Sequence, residues 1–109
     1  MTDPQPITPP ALPTDCNAVD GYDWNTKIAY AICMAESRGD PSATGYNTDG
    51  TIDRGLMQVN SIHADLVNGN LAALYTPAVN IKIAYSLSHQ GTNWTAWSTY
   101  NNGEYRKFL

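Results

Sequence analysis

Apolar side chains recur at helical spacing in the first third of the chain. The positions that carry this pattern are Trp24, Ile28, Ala31, Ile32 and Ala35. Spacings of three and four residues place side chains on one face of a helix. Asp23 is a suitable N-cap, and the pattern ends at Glu36 and Ser37, ahead of Gly39. The intervening positions are also mostly apolar, so the sequence predicts a buried helix here.

The pattern then changes to short β-prone stretches around polar turn residues. Asp49 and Gly50 separate two such stretches within residues 45–53. An Asp-Gly pair between β-prone flanks is the usual signal of a tight hairpin. Residues 55–60 indicate a return to a short helix, and residues 70–74 indicate another.

The last third of the chain returns to helical patterning with clear boundaries. Thr76 and Pro77 suit an N-cap and a first helical position, and Gly91 follows the end of the pattern. The apolar positions between them are Val79, Ile83, Ala84 and Leu87. A further helical turn or two is predicted over residues 94–100, with Gly103 as a breaker. The predicted fold class is α+β, mainly α, with a small β-hairpin insert after the first helix.

Proline marks a boundary near the start of the chain. Five of the seven prolines fall within the first 13 residues. That composition favours an extended arm or linker without a core of its own. A length of 109 residues leaves room for one domain. We therefore predict a Pro-rich arm over residues 1–15 and a single folded domain over residues 16–109.

The charge balance is acidic and excludes several classes of partner. Six Lys and Arg residues stand against ten Asp and Glu residues, for a formal net charge of −4. Nucleic-acid-binding domains usually carry a basic stripe, and proteins held to anionic membranes carry a polybasic cluster. The longest apolar run, residues 28–35, is far shorter than the ~20 residues needed to span a bilayer. We expect no nucleic-acid partner and no membrane insertion.

The two cysteines leave two interpretations open. Cys16 lies before the first predicted helix and Cys33 lies within it. A disulfide between them would clamp the N-terminal segment if the protein works outside the cytoplasm. Two unpaired thiols, with Cys33 as a small buried apolar residue, are the alternative. Residues 1–4 lack the basic start and apolar stretch of a signal peptide.

Two carboxylates lie in very different settings. Glu36 ends an apolar helix, where the negative end of the helix dipole and the apolar surroundings both raise the pKa of a carboxyl group. Asp53 lies on the far strand of the hairpin among polar residues, a setting that favours its charged form. One neutral acid and one charged carboxylate form the arrangement that cleaves a glycosidic bond.

These residues also carry a family resemblance. Glu36-Ser37 followed by residues 47–61 resembles the active-site stretch of chicken-type lysozymes, including the 17-residue separation of Glu36 and Asp53. The segment Gly55-Leu56-Met57-Gln58 is similar to bacterial and phage lytic transglycosylases. So are Asn80-Ile81 with Ala84, and Tyr100-Asn101. The resemblance covers roughly residues 24 to 103 and implies a lysozyme-like fold, with residues 16–109 as the catalytic domain.

The resemblance implies a role for each matching position. Glu36 would protonate the glycosidic oxygen, and Asp53 would act as nucleophile or oxocarbenium stabiliser. The substrate-binding positions implied are Ser37, Asn47, Gln58, Asn60, Trp94, Tyr100 and Asn101. Within this set, Trp94 would wall the pocket of Glu36, Tyr100 would contact the catalytic Glu, and Asn47 would orient Asp53 or the adjacent sugar.

The resemblance leaves three functional hypotheses. The first is a muramidase that hydrolyses the β-1,4 bond between N-acetylmuramic acid and N-acetylglucosamine in peptidoglycan. The second is a lytic transglycosylase that gives 1,6-anhydromuramyl products with Glu36 as sole acid/base. The third is an inactive glycan-binding module. Two cysteines cannot supply the four disulfides of chicken-type lysozymes, and the paired tryptophans expected after Ser61 are absent. A bacterial or phage origin therefore fits better.

The hypotheses carry expectations about partners and location. Acid catalysis and charge stabilisation come from side chains, so we expect no cofactor and no metal. The expected partner is a peptidoglycan glycan strand, met by a monomer at the bacterial cell wall, whether secreted, periplasmic or virion-associated. The Pro-rich arm suggests attachment within a larger lysin or a phage tail protein.

Overall fold

The computed structural model describes residues 16–109, and the predicted arm at residues 1–15 lies outside the described residues. A six-residue 3-10 segment over residues 16–21 precedes the first α-helix. The helices of the described part surround a small antiparallel sheet. The predicted fold class, α+β and mainly α, is confirmed. No helix within residues 16–109 combines the length and apolar character needed to cross a membrane.

Helix α1 spans Thr26–Ser37. It begins later than predicted, because Asn25 and not Asp23 is the N-cap: the Asn25 side chain accepts a hydrogen bond from the Ile28 N–H at 3.1 Å. At the other end Arg38 adopts a left-handed conformation, with φ of 57°, and its N–H donates to the Met34 carbonyl. The predicted end of the helix is confirmed, and it places Glu36 in the last turn.

Three short strands follow: β1 at Thr44–Tyr46, β2 at Ile52–Arg54 and β3 at Val59–Asn60. They pair antiparallel in the order β1-β2-β3, with Gly45 opposite Asp53 and Asp53 opposite Asn60. The hairpin prediction is therefore confirmed and extended by a third strand. Asp53 lies on the central strand, between neighbours on both sides.

The prediction of a short helix over residues 55–60 is wrong. The chain turns at residues 55–58 and continues into β3. The turn is held by Asn80, which lies on a helix further along the chain. Its buried side chain accepts from the Met57 N–H at 2.7 Å and donates to the Arg54 and Leu74 carbonyls. The Arg54 carbonyl, which would accept the first hydrogen bond of a helix that begins at Gly55, is thus bonded to Asn80 instead. Gly55, with φ of 81°, makes the turn.

Two more α-helices follow the sheet along the chain. Helix α2 spans Pro77–Leu87, with Thr76 at the N-cap, as predicted. Helix α3 spans Ser98–Asn101, so it begins four residues later than predicted, extends one residue beyond the predicted end and stops ahead of Gly103. Three 3-10 segments complete the fold: Ser61–Val67, Leu71–Tyr75 and Glu104–Phe108. The last of these packs along α1.

The core contains side chains from α1, α2, the turn between β2 and β3, and two 3-10 segments. Its largest fully buried apolar side chains are Ile32, Leu56, Met57, Leu74, Ile81 and Val19. Cys16 and Cys33 are bonded as a disulfide, which resolves the two interpretations left open by the sequence. The bond fixes the first described residue to the middle of α1, the helix that carries Glu36.

Candidate active site

Glu36 and Asp53 open into the same cleft. Its volume is about 570 Å³, within the usual range for a ligand site. The lining residues come from α1, the sheet, the α2 end and the loop before α3, and include Glu36, Tyr46, Asn47, Asp53, Gln58, Asn60, His63 and Trp97. The fold thus brings the two carboxylates predicted from the sequence into one site.

Glu36 is half-buried in the last turn of α1. Burial raises the pKa of its carboxyl group, and the negative charge of Asp53 acts in the same direction. A hydrogen bond opposes this shift, because the Thr99 hydroxyl donates to Glu36 Oε2 at 2.8 Å. The net pKa stays above the ordinary value for glutamate, which favours a proton donor at higher pH than an exposed carboxyl group allows.

Asp53 is held by a chain of polar side chains on the sheet. The Asn60 amide donates to Asp53 Oδ1 at 2.9 Å and to the Thr51 hydroxyl at 3.0 Å. Thr51 in turn donates to Asp49 Oδ1 at 2.6 Å and accepts from the Asn47 amide at 3.1 Å. The carboxylate therefore has a fixed orientation on the central strand, while its second oxygen is not used in this chain of bonds.

Three of the predicted sugar-binding residues line the cleft: Asn47, Gln58 and Asn60. Asn47 reaches Asp53 only through Thr51 and Asn60, so it supports the carboxylate indirectly. The Gln58 amide nitrogen donates to the Ala43 and Gly55 carbonyls at 2.9 Å each, which ties the β2–β3 turn to the start of β1.

The two tryptophans near the C-terminus, Trp94 and Trp97, lie in different places from those predicted relative to the cleft. Trp94 lies outside the cleft lining and packs against Trp24 and Trp97, with ring centroids 5.2 and 5.5 Å away. Trp97 lines the cleft beside Glu36 and donates its Nε1–H to the Met57 carbonyl at 2.8 Å. Of these two tryptophans, Trp97 and not Trp94 contributes to the cleft lining.

The other predicted contacts also lie outside the cleft lining. Ser37 is buried, donates to the Cys33 carbonyl and accepts from the Gly39 N–H, so it completes the end of α1. Tyr100 stacks on Tyr105 at 4.9 Å. The exposed Asn101 donates to the Thr95 carbonyl. Within residues 16–109 it is Thr99, and not Tyr100, that hydrogen-bonds Glu36.

Sequence reasoning missed several residues of the site. Thr99 lies directly before Tyr100, and nothing in the sequence pattern distinguishes its hydroxyl from an exposed one. Thr51 lies two residues before Asp53, and alternation along a strand could have placed both on one face. Tyr46 lines the cleft with 80% of its surface exposed. His63 lines the cleft as well.

Metal ligation has no candidate in the described part of the chain. Residues 16–109 contain no group of three or more His, Cys, Asp or Glu side chains that could hold a metal ion. The side chains that line the cleft carry carboxyl groups, amides, hydroxyls, an imidazole and an indole.

Comparison with known proteins places this geometry in a family. Residues 16–99 match the family described as lysozyme-like domains. The Invasion protein IagB of Salmonella typhimurium is 31% identical over 91 residues, which cover 75% of this chain and 57% of the relative. The Invasion protein IagB of Salmonella typhi matches equally well. The chain thus spans little more than half the length of these relatives. On the family match, this chain belongs to the lysozyme-like domains.

Proposed function

We propose that this chain cleaves the β-1,4 bond between N-acetylmuramic acid and N-acetylglucosamine in peptidoglycan by hydrolysis. The observation that carries the proposal is one cleft with two differently held carboxyl groups. Glu36 is half-buried with a raised pKa, and Asp53 is oriented by Asn60. A hydrolase that retains stereochemistry at the sugar carbon uses such a pair.

Each carboxyl group has one task in the proposed reaction. Glu36 gives its proton to the glycosidic oxygen as the bond to the sugar carbon breaks. Asp53 stabilises the positive charge that develops on the sugar ring, or bonds to its carbon. Glu36, now ionised, takes a proton from the attacking water, which restores both carboxyl groups. Asn47, Gln58 and Asn60 line the cleft, where Asn60 orients Asp53 and the Gln58 amide oxygen can accept from sugar substituents.

A second candidate is a lytic transglycosylase with Glu36 as sole acid/base. In that reaction the 6-hydroxyl of the muramyl sugar attacks in place of water and leaves an anhydro end. The segment Gly55–Gln58 and the pair Tyr100-Asn101 favour it at the level of sequence. It gives Asp53 no task, however, whereas Asn60 orients that carboxylate and is itself bonded to Thr51.

Because the proposed substrate is peptidoglycan, the proposed place of action is the bacterial cell wall. A disulfide between Cys16 and Cys33 agrees with work in an oxidising compartment. Attachment to a larger lysin or a phage tail protein through residues 1–15 remains part of the same proposal.

Digestion of purified peptidoglycan tests the proposal. Glu36→Gln should reduce the rate of turbidity loss about 100-fold to 10,000-fold, because it removes the proton donor. Asp53→Asn should also lower the rate strongly, since the charge facing the developing cation is lost. Asp65→Asn is the matched control, because Asp65 is exposed and lies outside the cleft lining. Sedimentation with peptidoglycan but no cleavage by the unmodified chain would contradict the proposal and indicate an inactive glycan-binding module.

A further inference from the structure

Thr99 is the one side chain within residues 16–109 that hydrogen-bonds the carboxyl group of Glu36. Its hydroxyl donates to Oε2 at 2.8 Å across 63 residues of sequence. The contact joins α3, where Thr99 lies, to the last turn of α1. Both residues are partly shielded from water, where a hydrogen bond to a charged group is stronger than on the open surface.

This contact distinguishes the two oxygens of the carboxyl group. A hydroxyl that donates to Oε2 favours the unprotonated state of that oxygen. Because Oε2 already accepts from the Thr99 hydroxyl, the transferable proton is carried by Oε1. We propose that Thr99 is a positioning residue for Glu36, which directs the proton to Oε1 and stabilises the carboxylate after the proton has left. This inference rests on the proposed function and adds a residue to it.

Thr99 also counteracts the effect of burial. Burial favours the protonated acid, which keeps Glu36 ready to donate but makes it a weaker acid. The Thr99 hydroxyl lowers the pKa, and its backbone N–H acts in the same direction. A general acid works best when its pKa lies near the working pH, so the two opposing effects together tune the donor.

Other charged groups near Glu36 must stay constant for this effect to be measured. Asp53 on β2 raises the pKa of Glu36 through its charge, and Asp49 and His63 line the same cleft. The 3-10 segment packed along α1 contributes the charged residues Glu104, Arg106 and Lys107. A substitution confined to the Thr99 hydroxyl leaves all of them in place.

The test replaces the hydroxyl of Thr99 with a methyl group. Thr99→Val has nearly the same shape and cannot donate, so kcat on peptidoglycan should fall about tenfold. The alkaline limit of the pH–kcat profile should move to higher pH, because an effect that lowers the pKa of Glu36 has been removed. Thr99→Ser should restore both values. Thr95→Val is the matched control, because the Thr95 hydroxyl bonds Asn93 and lies outside the cleft.

A spectroscopic readout separates this inference from the proposed function. The chain has two glutamates, Glu36 and Glu104, so selective ¹³C labelling of glutamate gives two carboxyl signals, with Glu104 as internal reference. In Thr99→Val the Glu36 signal should titrate at higher pH than in the unmodified chain. An unchanged Glu36 titration, or a lower kcat with an unmoved alkaline limit, would overturn the inference. Failure of the unmodified chain to cleave peptidoglycan would instead overturn the proposed function.

Discussion

The two carboxyl groups of the cleft are held in place by hydrogen bonds from other side chains. Glu36 depends on Thr99, and Asp53 depends on Asn60 and Thr51. Each carboxyl group therefore has a neighbour whose removal should change catalysis without removing the carboxyl group itself. Such variants test the geometry of the site more finely than deletion of the acids.

Asn60→Asp should lower kcat on peptidoglycan about tenfold or more. The new carboxylate still accepts from the Ile62 N–H, but it no longer donates to Asp53 and places a like charge beside it. Asn102→Asp is the matched control, since Asn102 accepts from the Glu104 N–H in the same way outside the cleft. Equal activity of the two variants would mean that Asn60 does not orient Asp53.

Glu36→Gln should change stability in a pH-dependent way. Burial raises the pKa of Glu36 in the folded chain above the unfolded value of about 4.3, so stability is lost as pH rises through the folded value. Glutamine carries no charge and avoids this loss. The melting temperature of Glu36→Gln minus that of the unmodified chain should therefore be more positive at about pH 8 than at about pH 4. A difference independent of pH would contradict the burial of an ionisable group here; Glu104→Gln supplies the exposed control.

At the scale of elements, the turn between β2 and β3 is built by α2. The Asn80 side chain hydrogen-bonds backbone groups of Met57, Arg54 and Leu74. These three bonds, called the Asn80 bracket below, leave no space beside Gly55. A Cβ at Gly55 would overlap the Leu74 carbonyl and the Asn80 amide. The position of Gln58 and of β3 thus depends on contact with a helix more than 20 residues further along the chain.

Two glycine substitutions separate backbone strain from this crowding. Gly50 and Gly55 have similar positive φ angles of 90° and 81°, but a Cβ at Gly50 meets open space. Gly50→Ala should cost about 1 kcal/mol of unfolding free energy through strain alone. Gly55→Ala should cost about 3 kcal/mol or more, because the overlap adds to the strain. Urea unfolding of both variants measures the difference, and equal losses would argue against the bracket.

The elements that sequence reasoning located correctly are those with local signals. Thr76 and Pro77 mark the start of α2 whatever packs against it, and the Asp-Gly pair marks the hairpin turn. Strand β3 has two residues and follows Gln58 with φ of 51°, so its existence depends on the Asn80 bracket and not on its own pattern. Which of Trp94 and Trp97 lines the cleft depends on tertiary packing, which no local signal reports.

The candidate site residues were likewise predictable only where a local sequence signal marked them. Glu36 and Asp53 were predictable because a family motif and contrasting surroundings both point to them. Thr99 was not, since its role arises only when α3 packs against the end of α1.

At the scale of the whole molecule, the acidic charge of the chain bears on how it would approach the proposed substrate. A net charge of −4 gives no electrostatic attraction to an anionic cell wall. Delivery by attachment to a larger assembly would remove the need for such attraction.

Added salt should therefore leave the cleavage rate on whole cell walls unchanged or raise it. Between about 10 and 200 mM salt, screening weakens repulsion between the acidic chain and the wall. A neutral oligosaccharide substrate is the control, and its rate should not respond to salt. A steep fall on cell walls over that range would indicate attraction, contrary to the net charge.

Mass spectrometry of the products from purified peptidoglycan tests the two-carboxylate hydrolysis most directly. The account predicts reducing muramyl ends that carry the mass of one added water, and their loss in Glu36→Gln and Asp53→Asn. Products dominated by 1,6-anhydromuramyl ends, with near-full activity retained in Asp53→Asn, would contradict it and assign the chain to the transglycosylase reaction.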